Sequence, residues 1–160
     1  MVDDDGNPHP LDSFEQHIHV NLIGMFNTVR LAVAAMSKND PGPDGERGVV
    51  VLTGSVNAYE GAAGETQYSA SKGGVHAMTL PAARDLGQWG IRVNTIAPGP
   101  FATGMLAEQT QELQDKYAET ITFPKRWGYP DEFASLAMEV IANRMINGSV
   151  IRIDGAGRYG

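Results

Sequence analysis

The chain has 160 residues, of which 42% are hydrophobic and none is a cysteine. A chain of this length buries roughly 70% of the surface that its unfolded form exposes, which is enough for the core of one domain. The net charge of −7 argues against a nucleic-acid backbone or an anionic bilayer as the main partner. The lack of cysteine excludes a disulfide framework, a thiolate nucleophile and a cysteine-based zinc site.

The sequence contains no obvious targeting or membrane segment. Its uninterrupted apolar runs are only a few residues long, whereas a membrane-spanning helix needs about 20. Residues 1–10 are rich in Asp, Gly and Pro, lack the apolar region of a signal peptide and are predicted as a loop. We therefore expect a soluble, cytoplasmic protein in which residues 1–160 form a single domain.

The first predicted element is an amphipathic helix over residues 11–36, whose apolar side chains recur every three or four residues. Asp12 or Ser13 is its expected N-cap. The stretch 38–48 contains Pro, Gly and Asp, which end the helix, and it is predicted as a loop. The apolar, largely β-branched run over 49–53 is typical of a strand buried on both faces in a parallel sheet.

The rest of the chain continues the alternation of helices and strands. The predicted segments are, in order, a helix over about 65–86, a strand over 91–96, a Pro/Gly loop over 97–101, a weakly helical polar segment over 105–122, a helix over 131–142 and a strand over 149–154. Strands separated by ten or more helical residues pair in parallel through right-handed crossovers. The order therefore predicts an α/β doubly wound parallel sheet with three layers.

Three side chains form a candidate catalytic group. Tyr68 and Lys72 lie four residues apart in a predicted helix, which places both on one face. A phenol has an unperturbed pKa of about 10, and we expect the ammonium of Lys72 to lower it toward a useful value for acid–base chemistry. Ser55 follows the end of the buried strand, where open α/β sheets bind ligands. Separately, the pair could be a solvated helix face and Ser55 a turn residue.

A series of motifs resembles the second half of the short-chain dehydrogenases/reductases. In chain order the motifs are Asn-Leu-Ile-Gly from Asn21, Ser55, Tyr-Ser-Ala-Ser-Lys-Gly-Gly from Tyr68, Asn-Thr-Ile-Ala-Pro-Gly from Asn94 with Thr103 beyond it, and Asn147-Gly148 through Asp154-Gly155. Their order and spacing cover nearly the whole chain from about Leu11. The resemblance implies a dinucleotide-binding, Rossmann-like fold of which this chain is the C-terminal portion.

Within that family, four segments are most similar to the type-2 3-hydroxyacyl-CoA dehydrogenases: residues 60–61, 68–74, 78–86 and 151–156. The resemblance implies reversible hydride transfer between a nicotinamide and a secondary alcohol or ketone, with a 3-hydroxyacyl-CoA as substrate and a place in fatty acid metabolism. The expected cofactor is NAD, with NADP as the alternative, and the expected assembly is a homodimer or homotetramer. The competing hypotheses are a 3-oxoacyl-carrier-protein reductase and a non-catalytic fragment that serves as a dimerisation module.

The resemblance also implies a role for each site residue. Tyr68 exchanges a proton with the substrate oxygen, Lys72 binds the cofactor ribose and modulates the pKa of Tyr68, and Ser55 hydrogen-bonds the substrate carbonyl or hydroxyl. Asn21 positions a helix kink and a water of the proton relay, although it could also be an ordinary helix residue. The expected cofactor-binding residues are Tyr68, Lys72, Pro98, Gly99, Phe101 and Thr103.

Some expected features of a dinucleotide-binding domain do not occur in the sequence. There is no Gly-x-Gly-x-x-Gly after a strand to receive a pyrophosphate, no associated acid for the adenosine ribose and no Asn-Asn-Ala-Gly element. We therefore expect an N-terminally truncated reductase that binds a dinucleotide weakly by itself.

Other motif matches favour neither a metal site nor a hydrolase. Asp3, Asp5 and Asp12 fall near EF-hand ligand positions, but no helix precedes them. His17 and His19 are two residues apart, whereas a helical metal pair needs a spacing of four. No Gly-x-Ser-x-Gly surrounds Ser55, as an esterase would require.

Overall fold

The computed structural model of the protein describes residues 1–104 and 110–158, with only the backbone of residues 113 and 114. Its sheet consists of β1 (Gly48–Thr53), β2 (Ile91–Pro98) and β3 (Val150–Ile153). The strand order is β1-β2-β3, and both pairings are parallel. The predicted parallel sheet is thus confirmed, with β2 as its central strand.

The helices of the described residues agree closely with the predicted segments. They are α1 (Leu11–Ile18), α2 (Gly24–Met36), α3 (Thr66–Gly87), α4 (Gln111–Glu119) and α5 (Pro130–Ala142). A π-helical turn, His19–Ile23, joins α1 to α2, so the chain is helical over the whole predicted span 11–36. The predicted polar segment begins at 105, and its residues 105–109 lie outside the described residues.

The helices lie on both faces of the sheet. Val93 of β2 packs against Val75 of α3 in the hydrophobic core. The preceding residue, Arg92, instead donates hydrogen bonds to the carbonyls of Val140 and Ile141 at the end of α5. Because successive strand residues point to opposite faces, α3 and α5 lie on opposite sides of the sheet. The three-layer, doubly wound α/β architecture is therefore confirmed.

Arg92 links the central strand to the end of α5. Its buried guanidinium donates to the carbonyls of Val140, Ile141 and Ile146 at 2.8, 2.8 and 2.9 Å. It also forms a 2.8 Å ion pair with Glu46 in the loop before β1. A buried cation is tolerated when its donors are satisfied, and here it satisfies carbonyls that the helix leaves free at its C-terminus.

Two details of the predicted boundaries are wrong. The N-cap of α1 is Pro10, which gives no side-chain cap hydrogen bond, whereas Asp12 and Ser13 lie in the first helical turn. The helix starts earlier because the fixed φ of Pro10 already suits helix entry. Strand β2 continues through Ala97 and Pro98, which pair with β3, so the predicted loop starts only at Gly99.

The helical span Leu11–Met36 is, by length and composition alone, long and apolar enough to cross a membrane. This finding corrects the expectation that the short apolar runs exclude a membrane-spanning segment. Isolated polar residues such as Asn21 interrupt the runs, but the helix as a whole remains apolar. In the structure Leu22, Met25 and Val29 pack against the core cluster of β1, β2 and α3. No residue of α1, the π turn or α2 is fully buried.

Candidate active site

The candidate site lies at the carboxyl end of the sheet, where β1 and β2 end side by side. Ser55 follows β1 after a single intervening residue and begins a short 3-10 turn, Val56–Ala58, in which its hydroxyl accepts the backbone N–H of Asn57. Tyr68 and Lys72 come from the first turns of α3. A hydrogen bond of 2.6 Å between Thr79 and Thr95 holds α3 against β2.

The surroundings of Tyr68 favour its protonated form. Burial of the phenol raises its pKa above the ordinary value of 10, a hydrogen bond with Ser55 lowers it, and the charge of Glu65 raises it further. The net direction is upward. The predicted lowering of the Tyr68 pKa by Lys72 is therefore not found in this structure.

The position of Lys72 explains this difference. Its ammonium donates a 2.9 Å hydrogen bond to the carbonyl of Thr53 at the end of β1. It lies 5.8 Å from the centre of the Tyr68 ring. Burial lowers the pKa of Lys72 itself. The ammonium is thus anchored to the strand end, and the sequence spacing alone does not reveal that anchor.

Asn21 lies in the π-helical turn and contacts the same part of α3. Its amide donates to the hydroxyl of Ser71 at 3.1 Å, and that hydroxyl donates to the carbonyl of Tyr68 at 2.7 Å. The resemblance implies that Asn21 positions a helix kink, and in the structure Asn21 lies in this π-helical turn. Its role in a proton relay stays a prediction.

Two cavities share Ser55, Tyr68, Pro98, Gly99 and Thr103 as lining residues. One, of about 450 Å³, extends toward α1 and α4 and is also bounded by Asn57 and Glu65. The other, of about 370 Å³, is lined by every residue predicted to bind the cofactor: Tyr68, Lys72, Pro98, Gly99, Phe101 and Thr103. Tyr68 and Ser55 therefore line both cavities. Side chains that act on two bound molecules at once need such a position.

Gly99 permits the close approach of β2 and β3 at this edge. A Cβ atom at this position would lie 2.9 Å from the Cβ of Asp154, closer than real side chains approach one another. The backbone N–H of Gly99 donates to the carbonyl of Ile153 at 3.0 Å. A larger residue would push apart the two strand ends that frame the second cavity.

Several lining residues were not identified from the sequence. Asn57 and Glu65 line the first cavity together with His17 from α1, and Trp127 and Tyr117 complete its aromatic side. Asn57 and Glu65 stand two residues after Ser55 and three before Tyr68, so their sequence proximity to the candidate catalytic residues was an available signal.

His76 is a further neighbour of the site. Its Nε2 accepts the backbone N–H of Ser55 at 3.4 Å, and its ring packs on Tyr59 at a centroid distance of 4.9 Å. Burial lowers the pKa of His76, and the charges of Lys72 and Arg152 lower it further. The spacing of four residues from Tyr68 to Lys72 and again to His76 places all three on one face of α3.

Comparisons with known proteins agree with this geometry. The short chain dehydrogenase family profile matches residues 6–114. The chain is 50% identical to the Mus musculus 3-hydroxyacyl-CoA dehydrogenase type-2 over 148 residues, which are 92% of this chain and 57% of that protein. The chain therefore spans little more than half the length of this relative.

Solved structures of other proteins are similar to this chain over nearly its whole length. The crystal structure of a 3-hydroxyacyl-CoA dehydrogenase type-2 from Mycobacterium avium superposes with a TM-score of 0.94 at 46% identity, over 99% of this chain and 62% of that chain. A 3-oxoacyl-[acyl-carrier protein] reductase from Brucella melitensis superposes with a TM-score of 0.81 at 28% identity, over 95% and 55%. The sheet, the site and these matches agree: the chain belongs to the short-chain dehydrogenase/reductase family.

Proposed function

We propose that the protein is an NAD-dependent oxidoreductase that interconverts a 3-hydroxyacyl-CoA and the corresponding 3-oxoacyl-CoA. The observation that carries this proposal is the meeting of Ser55, Tyr68 and Lys72 at the carboxyl end of β1, where Ser55 and Tyr68 line two cavities and Lys72 lines one of them. One cavity is then the substrate site and the other the nicotinamide site. The substrate class rests on the 50% identity to a type-2 3-hydroxyacyl-CoA dehydrogenase.

The residues of the second cavity fit the nicotinamide and ribose end of a dinucleotide. Lys72 offers an ammonium for ribose hydroxyls, and Thr103 offers a hydroxyl beside the Pro98-Gly99 backbone. When bound, the nicotinamide supplies or accepts the hydride. We propose NAD as the cofactor, with NADP as the alternative, and the described residues of this cavity do not include a group for the adenosine ribose.

The chain's own residues supply the proton chemistry. The Tyr68 phenol is protonated at neutral pH, since burial raises its pKa further above the ordinary value of 10, and it can give its proton to the oxygen of a ketone as that oxygen becomes an alcohol. The hydroxyl of Ser55 lies beside the phenol and hydrogen-bonds the same substrate oxygen. In the oxidation direction, Tyr68 must first lose its proton, and the nearest cation that stabilises a phenolate is Lys72.

The alternative reactions have less support. A 3-oxoacyl-carrier-protein reductase shares the fold, but the identity is 28%, compared with 46% for the Mycobacterium avium dehydrogenase. A purely structural role in dimerisation does not account for a half-buried tyrosine and lysine that line a cavity together with Ser55.

The proposed assembly is a homodimer or homotetramer. Val20, Phe26 and Leu31 project from the π turn and α2, with Phe26 and Leu31 both 57% exposed. Large apolar side chains on one helical span point to a covered surface in the assembled protein. A second copy presenting the same helices about a two-fold axis supplies a matching surface.

The proposed function is tested by measuring formation of the reduced nicotinamide. The protein that carries this chain, with the remaining length of its relatives, is purified and mixed with 3-hydroxybutyryl-CoA or the corresponding carrier-protein thioester, each with NAD+ and with NADP+. We expect the CoA thioester with NAD+ to give the highest kcat/KM. A higher value with the carrier-protein thioester would favour the reductase, and no turnover with any combination would refute the proposal.

A further inference from the structure

The cavity between α1, α4 and the Ser55 turn has an unusual wall for a site that is proposed to accept an acyl chain. Within the described part of the chain, no Leu, Ile, Val or Met side chain lines it. Apart from Gly99 and two prolines, Pro98 and Pro100, the described lining residues are polar or aromatic, among them Asn57, Gln67 and Trp127. A substrate in this cavity therefore meets hydrogen-bonding groups close to the reacting carbon.

Glu65 is the one carboxylate among the described lining residues, which also include the imidazole of His17. Neither Lys nor Arg is among these described residues. Lys72 lines the neighbouring cavity and is anchored to Thr53. The carboxylate of Glu65 consequently has no lysine or arginine partner in the cavity wall as described.

The carboxylate is held in place on one side only. The side-chain amide of Asn57 donates to Oε2 of Glu65, and Asn57 is 6% exposed and fixed by the 3-10 turn after Ser55. The other oxygen, Oε1, has no side-chain or backbone hydrogen bond from any described residue of the protein. Because Glu65 lines the cavity, this oxygen is free to accept a hydrogen bond from a ligand there.

The charge of Glu65 also acts on the reacting group. It contributes to the raised pKa of Tyr68, because a nearby negative charge disfavours the phenolate. The same repulsion acts on any second negative charge near the phenol. A substrate that carries a carboxylate beside its carbonyl brings such a charge.

We propose that Glu65 is a specificity-determining residue, whose carboxylate accepts a hydrogen bond from an N–H or O–H group of the substrate and excludes substrates with a free carboxylate near the reacting carbonyl. This inference rests on the proposed function and narrows it. The site takes the esterified or amidated form of a 3-oxo acid and rejects the free acid, which fits a thioester substrate with amide N–H groups in its tail.

Three small 3-oxo compounds of similar size test this proposal. Acetoacetate carries a carboxylate, acetoacetamide carries N–H donors without charge, and methyl acetoacetate has neither. Binding to the purified protein is measured by ligand-observed NMR, which needs neither cofactor nor turnover. We expect acetoacetamide to bind about tenfold more tightly than acetoacetate, a difference of about 1.4 kcal/mol, with methyl acetoacetate between them.

Two variants test whether Glu65 causes the preference for acetoacetamide over acetoacetate. Glu65→Gln keeps an acceptor for Asn57 but removes the charge, so the ratio between amide and acid should fall to about threefold or less. Glu65→Lys should reverse the preference and favour acetoacetate. The matched control is Glu112→Gln, the same change at an exposed carboxylate of α4 outside this cavity, and it should leave the ratio unchanged.

The outcomes separate this inference from the proposed function. Equal ratios in the wild type and Glu65→Gln, or no binding by any of the three compounds, would overturn the role of Glu65. If the ratios change as expected while no substrate is turned over with a nicotinamide, the role of Glu65 stands and the proposed function fails. Circular dichroism of each variant verifies that the fold is retained.

Discussion

Strand β2 and the helical span formed by α1, the π turn and α2 both contain recurring apolar residues, yet they are buried to opposite extents. Seven consecutive residues of β2 are buried, from Ile91 to Ala97. No residue of α1, the π turn or α2 is fully buried. The difference shows that an apolar pattern identifies a face that avoids water, but it does not say whether the covering surface belongs to the same chain.

The candidate site lies between these two regions. Ser55 and Lys72 belong to the packed region around β1 and α3, whereas Asn21 and His17 belong to the open helical span. Chemistry should therefore depend on the packed region, and the shape of the first cavity should depend on the open one. The following predictions test this division.

The largest expected effect is on turnover. In the protein that carries this chain, Tyr68→Phe should lower kcat by about 10²–10⁴-fold, the usual contribution of a positioned acid or base. NADH affinity should stay close to the wild-type value, because the phenol acts on the substrate oxygen. Lys72→Ala should lower both kcat and the affinity for NADH, because Lys72 is proposed to bind the ribose and to stabilise the phenolate of Tyr68. Fluorescence titration with NADH measures affinity, and an equal loss of NADH binding in both variants would contradict these roles.

A matched pair of leucines compares the packed and open regions directly. Leu52 of β1 is 4% exposed and Leu31 of α2 is 57% exposed. Leu52→Ala should lower the free energy of unfolding by about 2–5 kcal/mol, because it leaves a cavity in the core. Leu31→Ala should change it by no more than about 0.5 kcal/mol in dilute protein. Urea unfolding measures both values, and similar losses would mean that the exposed helix face is as well packed as the core.

The proposed assembly gives a third prediction. A charge at Phe26, introduced as Phe26→Glu, should shift the protein to smaller species, because it places a carboxylate in an apolar contact between copies. Light scattering coupled to size-exclusion chromatography reports the mass. Met145→Glu is the control, since Met145 is exposed in the turn after α5. A wild-type protein that is monodisperse at the mass of one chain would remove the basis for this prediction.

The smallest expected effect concerns an exposed ion pair. Glu132 pairs with Arg126 at 2.8 Å and accepts the backbone N–H of Tyr129, and these hydrogen bonds lower its pKa from 4.5 to about 2. A lowered folded-state pKa stabilises the protein above pH 4.5, and this contribution is lost as the pH falls toward 2. Glu132→Gln should therefore lower the Tm at neutral pH but not near pH 2. A pH-independent difference would mean that lost packing, rather than charge, causes the effect.

The fold could be predicted from sequence because the periodic patterns were strong and loops rich in Pro and Gly separate the helices and strands. The run over 49–53 and the strand over 91–96 both appear in the sheet, with boundaries that differ by one or two residues. The N-cap of α1 could not be predicted well, because Pro10 and the nearby Asp12 and Ser13 are all plausible starts and local preferences differ by little.

The site could be predicted only in part. The spacing of Tyr68 and Lys72 and the position of Ser55 after a strand depend on local order, and the structure brings all three together. The anchoring of Lys72 on Thr53 and of Glu65 on Asn57 depends on how separate segments pack. No pattern in one segment encodes such contacts, so the direction of the Tyr68 pKa shift could not be predicted either.

The π turn between α1 and α2 sets the angular phase of the two helices. Its Gly24 N–H bonds to the carbonyl of His19, five residues back, which amounts to one residue more than a regular α-helical turn holds. Each helical residue adds about 100° of rotation, so this extra residue fixes the direction in which α1 presents His17. The cavity wall thus depends on the number of residues in the turn as well as on their identity, and deletion of His19 or Val20 would turn His17 away from the cavity while Leu22 and Met25 kept their places in the core.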